Sequence, residues 1–176
     1  TASDVAISPD GNTIYTAGRH FTGGIAVFDR ASDGVLTQKA GTAGCVNDNG
    51  DSGCSDGNHL MPTALTISAD GKNLYAVSVI GPLVNSVTVF DVAADGTITQ
   101  KAGLAGCFTE SGSGGACTPT TTLGEVTDIS VTPDGKNVYV TSDADADPGA
   151  VTVFDRNTVN GELTRPAGAA GCFAVA

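Results

Sequence analysis

One unit occurs three times along the 176 residues, and it constrains the fold more than any other feature. Each copy opens with an apolar strand that ends in a turn: Ser8-Pro9-Asp10-Gly11, Ser68-Ala69-Asp70-Gly71 and Thr132-Pro133-Asp134-Gly135. Pro presets φ and Gly accepts positive φ, so these tetrads reverse the chain. A second strand follows at once, and it places all three tyrosines of the chain, Tyr15, Tyr75 and Tyr139, at one equivalent position. A third strand, Ile25 to Asp29, Val87 to Asp91 and Val151 to Asp155, alternates large apolar with smaller residues and ends in Phe-Asp. That period of two is the signature of a half-buried strand. A second turn closes on Gly34, Gly96 or Gly161, and a fourth strand leads through Ala-Gly to Cys45, Cys107 or Cys172.

Four strands joined in sequence order read as an antiparallel meander, so each copy has the form of a propeller blade. The turn glycines Gly11, Gly71 and Gly135 lie 60 and 64 residues apart, against roughly 40 to 50 for four-stranded blades. The excess sits in two Gly-, Ser-, Asp-, Asn- and Thr-rich segments. The expected layout is a single array over 1–176, with blades at about 1–44, 62–106 and 126–171 and Cys-containing loop insertions at 45–61 and 107–125. No window carries a 3.6-residue apolar period free of Gly and Pro, so the class is all-β. Single blades of this size do not bury enough surface to fold alone.

The net charge of -11, with only eight Lys and Arg, excludes nucleic acid and anionic membrane surfaces as expected partners. No run approaches the ~20 apolar residues of a membrane helix, so membrane insertion is not expected. The chain opens on Thr1 and reads as a processed or excised segment. Its five cysteines fall as Cys45 with Cys54, Cys107 with Cys117, and Cys172 unpaired. Spacings of nine and ten in flexible sequence suit local disulfides, whereas zinc knuckles use a shorter Cys-x-x-Cys step. Two loop disulfides imply an oxidising, secreted or otherwise extracytoplasmic setting. Cys172 opens what would be a third such loop, and the expectation is a chain cut short.

Ser8 to Tyr15, Thr132 to Val140 and the three Phe-Asp strand ends resemble the bacterial lactonase-like propellers of the YVTN type, whose blades carry SPDG-x-x-[VIL]-Y-V followed by V-x-V-F-D. The Gly-Cys insertions are similar to those of secreted actinobacterial members. The resemblance implies blades of a closed ring of about seven, whereas this chain carries three. The array is therefore expected to be a half-ring or a fragment, completed by the remaining blades of a longer chain or by self-association. Self-association would give a dimer closing a six-bladed ring, or a polymer. The resemblance also implies, as an alternative activity, a lactonase-like hydrolase or isomerase acting in the central channel. A binding or assembly scaffold is the expected role.

The loops that differ among copies should collect on one rim, which is where binding concentrates on a rigid scaffold. They supply Arg19, His20, Asp48, Asp51 and His59 as candidate binding residues. His20 and His59 are also candidate bases, with Asp51 or Asp56 to orient them. Asp143, Asp145 and Asp147 have the alternate-carboxylate spacing with which calcium loops begin, although Pro148 stands where such a loop needs Gly. The Asn47 to Asp56 loop is a second calcium candidate; solvated acidic loops are the alternative at both, and no other cofactor is expected. The repeated tyrosines and phenylalanines read as blade packing. Asp29, Asp91 and Asp155 are expected to accept hydrogen bonds from the backbone of the next turn.

Overall fold

The computed structural model describes all residues except 20–22, 82–83, 121–122, 145–146 and 175–176, and also leaves the side chains of 81, 144, 147, 148 and 169 undescribed. Three sheets follow one another along the chain. The first holds β1 (Ala2–Ile7), β2 (Thr13–Gly18), β3 (Gly24–Arg30), β4 (Leu36–Gln38), β5 (Cys45–Asn47) and β6 (Ser55–Asp56). The second repeats it with β7 (Pro62–Ile67), β8 (Asn73–Gly81), β9 (Val84–Val92), β10 (Ile98–Gln100), β11 (Cys107–Thr109) and β12 (Thr118–Pro119). The third has β13 (Glu125–Val131), β14 (Asn137–Ala144), β15 (Asp147–Arg156), β16 (Leu163–Thr164) and β17 (Cys172–Ala174). The chain is thus an all-β array of three propeller blades, and the described residues contain 3-10 turns but no α-helix.

The repeated tetrads make the first hairpin of every blade. Gly11 donates its amide to Ser8 O at 2.8 Å with φ of 75°, and the Asp10 carboxylate accepts from Ser8 Oγ at 2.6 Å and the Asn12 amide at 3.1 Å. These bonds hold the Asp10 carboxyl below the usual carboxylate range, the Ser8 hydroxyl contributing most. Each first strand then carries a bulge near its start, between Ala2 and Asp4, Pro62 and Ala64, or Val126 and Asp128.

The fourth strand is shorter than a simple meander provides. β4 lies on the end of β3, pairing Phe28 with Gln38 and Arg30 with Leu36, while β5 lies on its start, pairing Gly24 with Asn47 and Ala26 with Cys45. Between them the chain makes a 3-10 turn at Gly41–Ala43. Gly44 returns it so closely that a Cβ there would overlap the Lys39 carbonyl, and Gly106 and Gly171 sit in the same fold-back. The Cys segments, expected as loop insertions, therefore open with strands that complete the outer edge, and β6 and β12 add short parallel steps beyond them.

The period of two sends alternate residues of each strand into different cores. Tyr75, Val77, Val87 and Val89 face blade three, where they join Val126, Ile129, Val138, Val140 and Phe154. Their neighbours Leu74, Ala76, Phe90 and Ile98 face blade one, where they meet Tyr15, Ile25, Val27 and Val46. The hydrophobic cores lie between blades, and only the middle blade is covered on both faces.

Candidate functional site: rim loops and blade faces

The β2–β3 loop and the Cys segments share one rim, because β5 pairs with the start of β3. Arg19 is exposed there and donates its amide to Thr1 O at 2.9 Å. His20 and Asp145 lie outside the described residues, as does the Asp147 side chain, and Asp143 is exposed on β14 opposite Glu125. Asn47 is buried and organises its loop: Oδ1 accepts the Asp51 amide at 3.0 Å, and Nδ2 donates to Asp51 O at 3.0 Å. Asp48 Oδ1 accepts the Leu60 amide at 3.0 Å. These oxygens hold the chain in its turn, and the carboxylates of Asp51 and Asp56 face solvent.

Both expected disulfides form, Cys45–Cys54 and Cys107–Cys117. Cys172 takes the same strand position, opposite Thr152, as a half-buried free thiol. His59 reaches across from the first Cys segment to the second disulfide, with Nδ1 3.6 Å from Cys117 Sγ and its carbonyl accepting from Ser86 Oγ at 2.8 Å. His59, Cys107 and Cys117 offer ligand atoms within 4.8 Å of one another, but the disulfide joins the two sulfurs. Among the described residues His59 makes no hydrogen bond or ion pair with a carboxylate, so it is not joined there to the Asp51 or Asp56 anticipated as its orienting acid.

The most elaborate polar constellation is one the sequence reading did not single out. Arg156, with 1% of its side chain exposed, lies between blades two and three. Its Nη2 donates to Asp70 Oδ2 at 3.0 Å and to Asn73 Oδ1 at 2.7 Å, its Nε to Tyr75 Oη at 2.7 Å, and its Nη1 to Gly135 O at 3.0 Å. Tyr75 Oη in turn donates to Gly161 O at 3.0 Å, as Tyr15 Oη donates to Gly96 O at 2.9 Å between blades one and two. Burial pushes both tyrosines up to about 12. Burial also works to raise the Asp70 carboxyl, but hydrogen bonds from Ser68, the Lys72 amide and Arg156 outweigh it and leave Asp70 below the ordinary range. Phe108 completes this interface, stacked edge to face on Phe154 at 5.0 Å.

The strand-end aspartates depart from the turn role expected of them. Asp91 takes Lys101 Nζ at 2.6 Å and Asn73 Nδ2 at 3.1 Å, Asp29 pairs with Lys39, and Asp155 accepts from Asn137 Nδ2 at 3.0 Å.

Equivalent residues differ sharply between the inner and outer faces. Tyr15 and Tyr75 are fully buried, whereas Tyr139 is 39% exposed and its hydroxyl has no partner among the described residues. Tyr139 thus departs from the packing role expected of all three, because no blade covers its face. On the opposite end Val5 is 56% and Leu36 47% exposed, where their counterparts Leu65 and Ile98 are each 6% exposed. Gly96 and Gly161 are pressed against Thr13 and Asn73 of the preceding blade, while Gly34 has open space around it.

No family model matches the chain, and no curated protein sequence does. Solved structures similar to it include a candidate 6-phosphogluconolactonase from Bacteroides uniformis, at TM-score 0.62 and 22% identity over 91% of this chain and 37% of that one. A periplasmic gluconolactonase from Pseudomonas aeruginosa is similar at TM-score 0.60 and 19% identity, over 99% of this chain and 44% of the other. Hydrazine synthase from Kuenenia stuttgartiensis is similar at TM-score 0.59 and 17% identity, over 94% of this chain and 36% of that one. At these identities the likeness is one of fold, a lactonase-like propeller among its neighbours. The chain spans less than half the length of each of these three structures.

Proposed function

We propose that this chain is an extracytoplasmic propeller scaffold, completed by association of its outer blade faces, that displays its disulfide-tied rim loops as a binding surface. The observation that carries the reading is the exposure of Tyr139, Val5 and Leu36 at positions whose repeat counterparts are buried between blades. Apolar positions that the repeat itself dedicates to burial mark a face built to be covered. The rim residues support a display role, since Asn47 and Asp48 shape the loop and leave Arg19, Asp51 and Asp56 facing solvent. The two disulfides suit an oxidising compartment.

Light scattering over a wide concentration range tests the reading. A native mass that rises above the 17.4 kDa of one chain supports it, and a constant 17.4 kDa at every concentration overturns self-completion. A second reading, a lactonase-like hydrolase in the completed channel, is favoured by the printed names of two of the neighbours. It requires turnover of a small lactone that disappears when His20 and His59 are replaced. Lactones left intact by the assembled protein would eliminate it.

A further inference from the structure

Seven residues of the interface between blades two and three recur, in kind, on the two outer faces. Blade two contributes Asp70, Asn73, Tyr75 and Phe108; blade three contributes Phe154, Arg156 and Gly161. At the equivalent positions the uncovered face of blade three carries Asp134, Asn137, Tyr139 and Phe173, and the uncovered face of blade one carries Phe28, Arg30 and Gly34. The interface between blades one and two is built differently, with Val92 in place of the arginine, Thr13 in place of the asparagine and Val46 in place of the phenylalanine. The two outer faces therefore match the arginine-centred interface and not its neighbour.

The matching groups are also posed alike. Arg30 Nη1 points to Gly11 O at 3.4 Å, as Arg156 Nη1 points to Gly135 O, and its remaining donors have no partner among the described residues. Asp134 is held by Thr132 Oγ1 at 2.6 Å and the Lys136 amide at 3.1 Å, as Asp70 is held by Ser68 and the Lys72 amide. Phe173 is exposed and Phe28 half-buried, where Phe108 and Phe154 are buried against each other.

We infer that a second copy of this chain docks head to tail on the first, Arg30 of one copy entering the Asp134, Asn137 and Tyr139 cluster of the other. The inference rests on the completion reading above and adds its polarity and its contacts. Tyr139 Oη then donates to the Gly34 carbonyl of the second copy, Phe173 stacks on Phe28, and Val5 and Leu36 leave water. The contact is heterologous, so two copies either close six blades or leave the assembly open at both ends. The charge pair fixes which faces meet, because like faces would oppose two arginines or two aspartates.

Charge reversal in the intact chain tests this. Arg30→Asp and Asp134→Arg each place like charges at the junction, and each weakens association by at least about tenfold in analytical ultracentrifugation. Mixing the two variants restores it, since the introduced aspartate of one meets the introduced arginine of the other and the second junction keeps the native pair. Restoration also shows that both variants fold. Wild-type association with variants that associate equally well would overturn the Arg30–Asp134 pairing and leave the completion reading standing. Weakened variants that fail to recover on mixing would overturn the pairing too, and a wild-type chain that never associates would overturn both.

Discussion

Arg156 directs every nitrogen of its guanidinium to a protein acceptor, and removing it strands several of them at once. Replacing it with Met should lower stability by about 3 kcal/mol, the lower end for a broken buried pair, because Asp70 keeps a third of its side chain exposed. A fall in Tm of roughly 6–12 °C in a dilute thermal melt would check this. Tyr75→Phe removes a hydroxyl bonded on both sides and should cost about 1–2 kcal/mol, whereas Tyr139→Phe in the unassociated chain should stay within about 0.5 kcal/mol. Urea titrations of the two variants compare them directly. Asp70 also sets an acid limit. Its carboxyl is depressed in the folded chain, so its contribution is complete above the ordinary aspartate value and is lost as pH falls through the folded value. Tm should hold steady between pH 7 and 5 and drop below about pH 4, and Asp70→Asn should shrink that drop. None of this constellation was legible in the sequence, because Arg156 meets its side-chain partners in blade two across 81 to 86 residues of chain. The trace it left was small: Phe-Asp is followed by Arg in blades one and three and by Val in blade two.

Strands declare themselves in sequence when they are long enough for alternation to show, and the first three of each blade are. The Asp-Gly tetrads located their hairpins for the same reason, since Pro and Gly preset the required backbone angles. The fourth strand was legible in its first piece, β4, β10 and β16, whereas β5, β11 and β17 escaped because each holds three residues set apart by a 3-10 turn, too short for a period of two to register. The disulfides were readable from spacing, but the strands they pin were not. Cys107→Ser with Cys117→Ser should therefore do more than free a loop: with the closed segment lost, about 2–3 kcal/mol of stability goes with it. Faster amide exchange along β11 and β12, with β7 and β8 unchanged, would show that the effect is confined to the outer edge. Slowed exchange or spreading of the loss into β8 would mean that the segment is coupled to the core.

For the molecule as a whole, the rim is acidic but its best-placed oxygens serve the backbone. Asn47 and Asp48 are committed to the amides of Asp51 and Leu60, so chelators should leave Tm unchanged. A Tm that falls in a chelator and returns with added calcium would instead place a cation on this rim. The three-blade array was legible from the repeat alone, because the repeat dictates stacking. What each outer face would meet was not, since burial differs among residues that look identical in sequence. One further property follows from the divided outer strand. With β4 and β5 three residues each, and β6 and β12 only two, the outer margin offers no six-residue template to which an extended segment could add. The inner margin is interrupted by its bulges and, in blades one and three, by the carboxylates of Asp4 and Asp128. Concentrated solutions should accordingly resist fibril nucleation, and copies can gather without their sheets ever fusing.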